Sequence, residues 1–149
     1  MIYHFEDSNI CDVTSGMIIH GCNAQGVMGS GVAKQLRHKY PEIYDYYVEF
    51  IDNNVPPLGK VNFVAVTQNL IIANCITQKY YGRDGGKYVS YSALQNCFIT
   101  VNECCKQESI TEVHIPYLIG AGLGGGDPKY IMSLIKENIT YPDINFHHL

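Results

Sequence analysis

Short apolar runs alternating with stretches of helical periodicity restrict this chain more than any other feature. Met17-Ile18-Ile19-His20 is a run of buried-strand type that ends at Gly21. Residues 61–66 and 70–76 form two more, joined by a tight Thr67-Gln68-Asn69 turn. Residues 113–116 and 144–149 supply further strands, and residues 2–5 an edge strand. Between them, Ile43, Tyr44, Tyr47, Val48 and Ile51 follow helical spacing, with Pro41 at the favoured first position. Leu94, Cys97, Phe98, Val101 and Cys105 repeat the pattern behind a Ser90 cap, and Ile131, Leu134, Ile135 and Ile139 behind Asp127-Pro128. Buried strands alternating with amphipathic helices predict an α/β fold, a three-layer α/β/α sandwich around a central mixed sheet. No repeat, linker or low-complexity tract divides residues 1–149, so a single domain is expected.

In such folds ligands gather at the carboxyl ends of the strands, and two glycine-rich loops fall there. The first is Gly21-Cys22-Asn23-Ala24-Gln25-Gly26-Val27-Met28-Gly29-Ser30-Gly31-Val32-Ala33, which runs into a helix starting near Val32. Its glycines let backbone N–H groups approach a ligand, and a helix N-terminus favours negative charge. The spacing is neither the dinucleotide fingerprint Gly-x-Gly-x-x-Gly nor a Walker loop. The second, from Ile115 through Gly120-Ala121-Gly122-Leu123-Gly124-Gly125-Gly126 to Asp127-Pro128, packs five glycines into seven residues. Glycines are costly to order, so a ligand or a close backbone approach is needed to account for them. Two such loops in one small chain point to a diphosphate held from both sides.

A net charge of −4 argues against a binder of nucleic-acid backbones, which needs a basic stripe. Of the six cysteines, Cys22, Cys75 and Cys97 sit in apolar runs and Cys104 and Cys105 are adjacent, with no Cys-x-x-Cys, which points to free thiols in a reducing compartment. No apolar run is long enough to span a bilayer, and the start Met1-Ile2-Tyr3 has no secretory character. A cytoplasmic monomer without metal or cofactor is expected. His147 and His148 alternate faces on a terminal strand, His114 reads as a strand residue, and His4 and His38 as surface residues.

The chain resembles the macro domains, which are ADP-ribose-binding α/β/α modules. The resemblance rests on Ile18-Ile19-His20-Gly21-Cys22-Asn23 followed by Met28-Gly29-Ser30-Gly31-Val32-Ala33, then on the loop from Ile115-Pro116 to Gly124. It is strongest to the yeast-type ADP-ribose 1″-phosphate phosphatases and their bacterial and phage relatives, through His20 and Leu58-Gly59-Lys60. It implies that Asn9 and Ile10 contact adenine, where many macro domains carry an aspartate that accepts from the amino group. An asparagine oxygen can accept the same bond without charge. It further implies that Asn23 meets the distal ribose. Gly29, Ser30, Gly31, Val32, Ile119, Gly120, Ala121, Gly122, Leu123 and Gly124 would wrap the diphosphate and ribose.

Three activities remain open. Hydrolysis of ADP-ribose 1″-phosphate to ADP-ribose and phosphate would use His20, Asp84 and Asn23, imidazole being able to donate to a phosphoryl oxygen or position water. The competing reading of His20 is a core histidine bonded within the fold. Arg83 or Lys87 could meet a terminal phosphate, and Tyr80 or Tyr81 could stack on a ribose. A non-catalytic binder of ADP-ribose or a related nucleotide is the second reading. De-ADP-ribosylation is the third, but the lysine and aspartate of one such hydrolase class correspond here to Gln78 and Gly124; a one-residue slip would bring in Lys79 for the lysine but nothing for the aspartate.

Overall fold

The computed structural model describes residues 2–82, 86–121 and 124–148. Arg83, Asp84, Gly122 and Leu123 lie outside those residues.

Among the described residues, six strands and four helices follow in chain order: β1 (Tyr3–Glu6), β2 (Gly16–Asn23), α1 (Gly31–Lys39), α2 (Glu42–Asn53), β3 (Val61–Ala65), β4 (Leu70–Gln78), α3 (Tyr91–Glu108), β5 (Glu112–Pro116), α4 (Pro128–Asn138) and β6 (Asp143–His147). A 3-10 turn, Ile10–Asp12, sits between β1 and β2. The sheet order is β1-β6-β5-β2-β4-β3, parallel throughout except for β3, which runs antiparallel to β4. This is the expected mixed sheet, with β1 at one edge.

Alternation along the strands sends side chains to two separate cores. Met17, Ile19, Ala73, Cys75, Val113, Ile115, Ile144 and Phe146 pack with Leu94 and Phe98 of α3 and with Ile131, Leu134 and Ile135 of α4. Ile18, Cys22, Leu70, Ile72 and Ile76 face the other way, against Leu36, Ile43, Tyr47 and Ile51 of α1 and α2. The expected caps form: Ser90 Oγ accepts from the Ala93 N–H at 3.2 Å, and Asp127 Oδ1 from the Lys129 N–H at 3.1 Å. All six cysteines are free. Among the described residues, no helix is long and apolar enough to cross a membrane.

β2 runs past its expected end at Gly21 and reaches Asn23. Gly21 stays in the ladder opposite Cys75, and a Cβ there would lie 2.9 Å from Thr77 Oγ1. This glycine therefore serves close strand packing instead of ending the strand. A register shift between Cys22 and Asn23 then turns the chain out of the sheet, so the first loop begins after Asn23.

Candidate functional site

β2 and β5 lie side by side and parallel at the centre of the sheet. The chain leaving their carboxyl ends therefore opens onto the same edge, and the two glycine loops face one another there. Between them is a cavity of about 440 Å³, lined by both loops, His20 of β2, Thr77 and Gln78 of β4, Tyr81, and His147 and His148. That volume suits a nucleotide-sized ligand.

The first loop supplies the anion-attracting end. α1 starts at Gly31, and Ser30 before it makes no side-chain capping bond, unlike Ser90 and Asp127 at the starts of α3 and α4. Ser30, Gly31, Val32 and Ala33 all line the cavity. Gly31 has φ +62°, and a Cβ there would meet nothing within 4 Å, so this backbone borders open space. Unsatisfied N–H groups and the helix dipole make this end a receptor for negative charge.

The same loop is braced from beneath. Asn23 Oδ1 accepts from the N–H groups of Gln25 at 2.9 Å and Val27 at 3.3 Å, while its Nδ2 donates to the Val27 carbonyl at 2.7 Å. The buried Tyr47 hydroxyl accepts from the Gly26 N–H at 3.2 Å and donates to the Asn23 backbone carbonyl. Tyr44 donates to the Gly26 carbonyl at 3.0 Å. Asn23 lines the cavity, but much of its side-chain capacity is used in shaping the loop. The bracing tyrosines are visible in the sequence only as helical spacing.

The second loop uses its glycines differently. Ile119 and Ala121 donate their N–H groups to the carbonyls of Pro116 and Leu118 inside the loop's own turns, and Ala121 packs against the α3 and α4 core. The Gly124 carbonyl accepts from both Tyr88 and Val89. A Cβ on Gly125 would lie 2.5 Å from the Gly86 carbonyl oxygen, and one on Gly126 2.7 Å from Ile131 Cδ1. Close backbone approach thus accounts for these glycines. Ile119, Gly120 and Gly124 do line the cavity. Gly122 and Leu123 are outside the described residues.

His20 lines the cavity at the carboxyl end of β2, yet its ring is held within the fold. It shares a register row with Asn74 on the α2 face of the sheet and is only 1% exposed. Its Nε2 donates to Asn74 Oδ1 at 2.6 Å, and Asn74 Nδ2 in turn donates to Asn62 Oδ1 at 3.1 Å and to the Ile43 carbonyl at 3.3 Å. Burial lowers its pKa to about 4, against the smaller upward pull of the Asn74 bond, so the ring is neutral near pH 7. The physical reason is strand alternation: His20 follows Ile18 and precedes Cys22 on the inward face.

Asn9 lies beside the cavity, in a groove that shares Met28, Gly29 and Gly31 with it. Its Oδ1 accepts from the Cys11 N–H at 2.9 Å, capping the 3-10 turn. Ile10 beside it is buried in the α1–α2 core. Gln78 lines the cavity and donates to the Tyr80 carbonyl, whereas Lys79 is exposed and outside the lining. Tyr81 lines the cavity and Tyr80 does not. Asp84 is not among the described residues.

His114 and His147 form a pair that periodicity alone does not join. His114 Nδ1 lies 2.7 Å from His147 Nε2, and His147 Nδ1 lies 3.0 Å from Ser8 Oγ. Burial, and then the neighbouring His147, hold His114 below the ordinary imidazole range. A signal for the shared face is present in the sequence. Both histidines alternate with the apolar residues of β5 and β6, so both face away from the α3–α4 core.

Residues 19–135 match the Macro domain family. An enterobacteria phage T4 protein, described as an uncharacterized 17.5 kDa protein in the tk-vs intergenic region, is 34% identical over 121 residues, covering 79% of this chain and 76% of that protein. A protein of unknown function from Bacteroides thetaiotaomicron superposes with a TM-score of 0.86 at 28% identity over 99% of each chain. Thermosipho africanus DarTG, solved in complex with ADP-ribose, shares the fold at a TM-score of 0.82 and 16% identity, over 99% of this chain and 42% of that one. A central cleft between two glycine loops on a mixed α/β/α sandwich is the architecture of a macro domain. This chain belongs to the macro domain family.

Proposed function

We propose that residues 1–149 act as one domain that binds ADP-ribose in the cleft between the two loops. The observation that carries this reading is the uncapped start of α1, open to the cavity at Gly31. A diphosphate set there meets backbone donors and a helix dipole without any cation, which suits an acidic chain. The fold shared with a protein solved with ADP-ribose supports the choice of ligand. Gly29, Ser30, Gly31 and Val32 take the diphosphate in this reading, and Ile119, Gly120 and Gly124 close over it. Asn23 sets the loop and faces the distal ribose.

Titration calorimetry with ADP-ribose tests this directly, with Gly29→Glu as the matched variant. Gly29 has no left-handed φ, and a Cβ there meets only Val27 Cγ1 at 3.6 Å, so the backbone accepts a side chain. The added carboxylate would repel the diphosphate. Saturable binding by the parent and its loss in the folded variant is the expected result. Equal binding by both would remove this loop from the site.

Hydrolysis of ADP-ribose 1″-phosphate is the reaction implied by the family resemblance, and we keep it as the finer reading. The Asn74 bond and the burial of His20 argue that any proton transfer comes from another group. Phosphate release from that substrate should therefore survive His20→Gln, provided the variant folds. Selective loss of turnover with intact ADP-ribose binding would return His20 to a catalytic role. Binding without phosphate release by the parent would leave the protein a binder.

A further inference from the structure

α1 is the cationic element of an acidic protein. Its sequence, Gly31-Val32-Ala33-Lys34-Gln35-Leu36-Arg37-His38-Lys39, has three formal positive charges and no carboxylate, whereas the whole chain carries −4. Lys39 is already engaged, donating to the Cys11 carbonyl at 2.6 Å. Lys34 and Arg37 are exposed, and among the described residues neither is in an ion pair. Arg37 lies over the Tyr44 ring at 3.6 Å. Stacking uses the face of a guanidinium and leaves its edge donors for an acceptor.

These cations are not scattered on the surface. Lys34, Arg37 and His38 line a groove with Asn9 and Cys11, and this groove shares Met28, Gly29 and Gly31 with the main cavity. A ligand with its diphosphate at the start of α1 and its base toward Asn9 has one ribose between them. In that placement the ribose would sit at the mouth common to the cavity and the groove, beside Met28, Gly29 and Gly31.

We propose that this groove is a subsite for a phosphate on the adenosine ribose, so that the preferred ligand is ADP-ribose carrying a further phosphate on its 2′ or 3′ hydroxyl. The proposal rests on the ADP-ribose reading of the main cavity. Lys34 and Arg37 supply the charge, and the stacked guanidinium supplies paired donors suited to phosphate oxygens. A solvated groove makes the preference sensitive to salt.

The test compares three ligands by calorimetry at low and physiological salt: ADP-ribose, and ADP-ribose with a monophosphate on the adenosine 2′ or 3′ hydroxyl. At least one phosphorylated form should bind roughly ten-fold more tightly than ADP-ribose at low salt. The advantage should shrink with added salt. A Lys34→Gln/Arg37→Gln double variant should lose it while keeping ADP-ribose affinity within about two-fold, and a thermal melt checks its fold. Equal or weaker binding of both phosphorylated forms would overturn the subsite and leave the main cavity reading standing. An advantage that survives the double variant would overturn it too. Failure of all three ligands to bind would overturn both readings.

Discussion

A row of three side chains crosses the sheet beneath α2, from His20 through Asn74 to Asn62. Each is satisfied by the next, and Asn74 also anchors the Ile43 carbonyl of α2. The row has a consequence for pH. In the unfolded chain the imidazole titrates near 6.5, but in the fold its pKa is about 4. The unfolded state therefore takes up the proton first as pH falls, and stability drops between those values and then levels off. The loss is on the order of 3 kcal/mol for the whole interval. Urea unfolding at pH 7 and pH 4.5 should show a steeper decline in the parent than in His20→Gln, which keeps a donor for Asn74 and cannot titrate. Identical pH slopes would mean that the ring is not buried as described. Tyr47→Phe tests the bracing of the first loop. It leaves the Gly26 N–H without its hydroxyl partner, so a loss of about 1–3 kcal/mol is expected with weakened ADP-ribose binding. The order of the chain already marks Asn23, Gly29, Gly31, Gly120 and Gly124 as loop residues, and all five line the cavity. The bracing by Tyr44 and Tyr47 is not legible there, because a helical repeat shows which face is buried but not what its hydroxyls reach.

The two glycine loops look alike as strings and differ as elements. Gly31 and Gly125 both have positive φ, +62° and +72°. Only Gly125 also sits against backbone, with the Gly86 carbonyl oxygen 2.5 Å from the place of a Cβ. Gly31→Ala should therefore cost about 1–2 kcal/mol from the left-handed conformation alone. Gly125→Ala should cost more, since the 86–89 segment must move as well. Chemical denaturation of both variants measures the difference, and equal costs would contradict the packing described for the second loop. This distinction explains part of what sequence can show. Strand and helix positions follow from apolar periodicity, and the Ser90 and Asp127 caps from local chemistry. The extension of β2 through Gly21 does not, because a glycine after an apolar run signals an end, whereas here cross-strand packing against Thr77 requires it.

At the scale of the molecule, function follows from topology. β2 and β5 are far apart in sequence yet adjacent at the centre of the sheet, and that adjacency brings both loops to one cavity. The layered fold can be read from alternating elements, and the family resemblance supplies the pairing of the loops. Strand order and register cannot be read this way, and they decide that His20 meets Asn74 and that His114 meets His147. The central claim is that ADP-ribose lies across the start of α1. Backbone amide shifts in an isotope-labelled sample, followed while ADP-ribose is added, test it most directly. Saturable shifts are expected, largest at Gly29, Ser30, Gly31 and Val32, with a second group at Ile119, Gly120 and Gly124. Saturable shifts confined to other surfaces, or none at millimolar ligand, would contradict it.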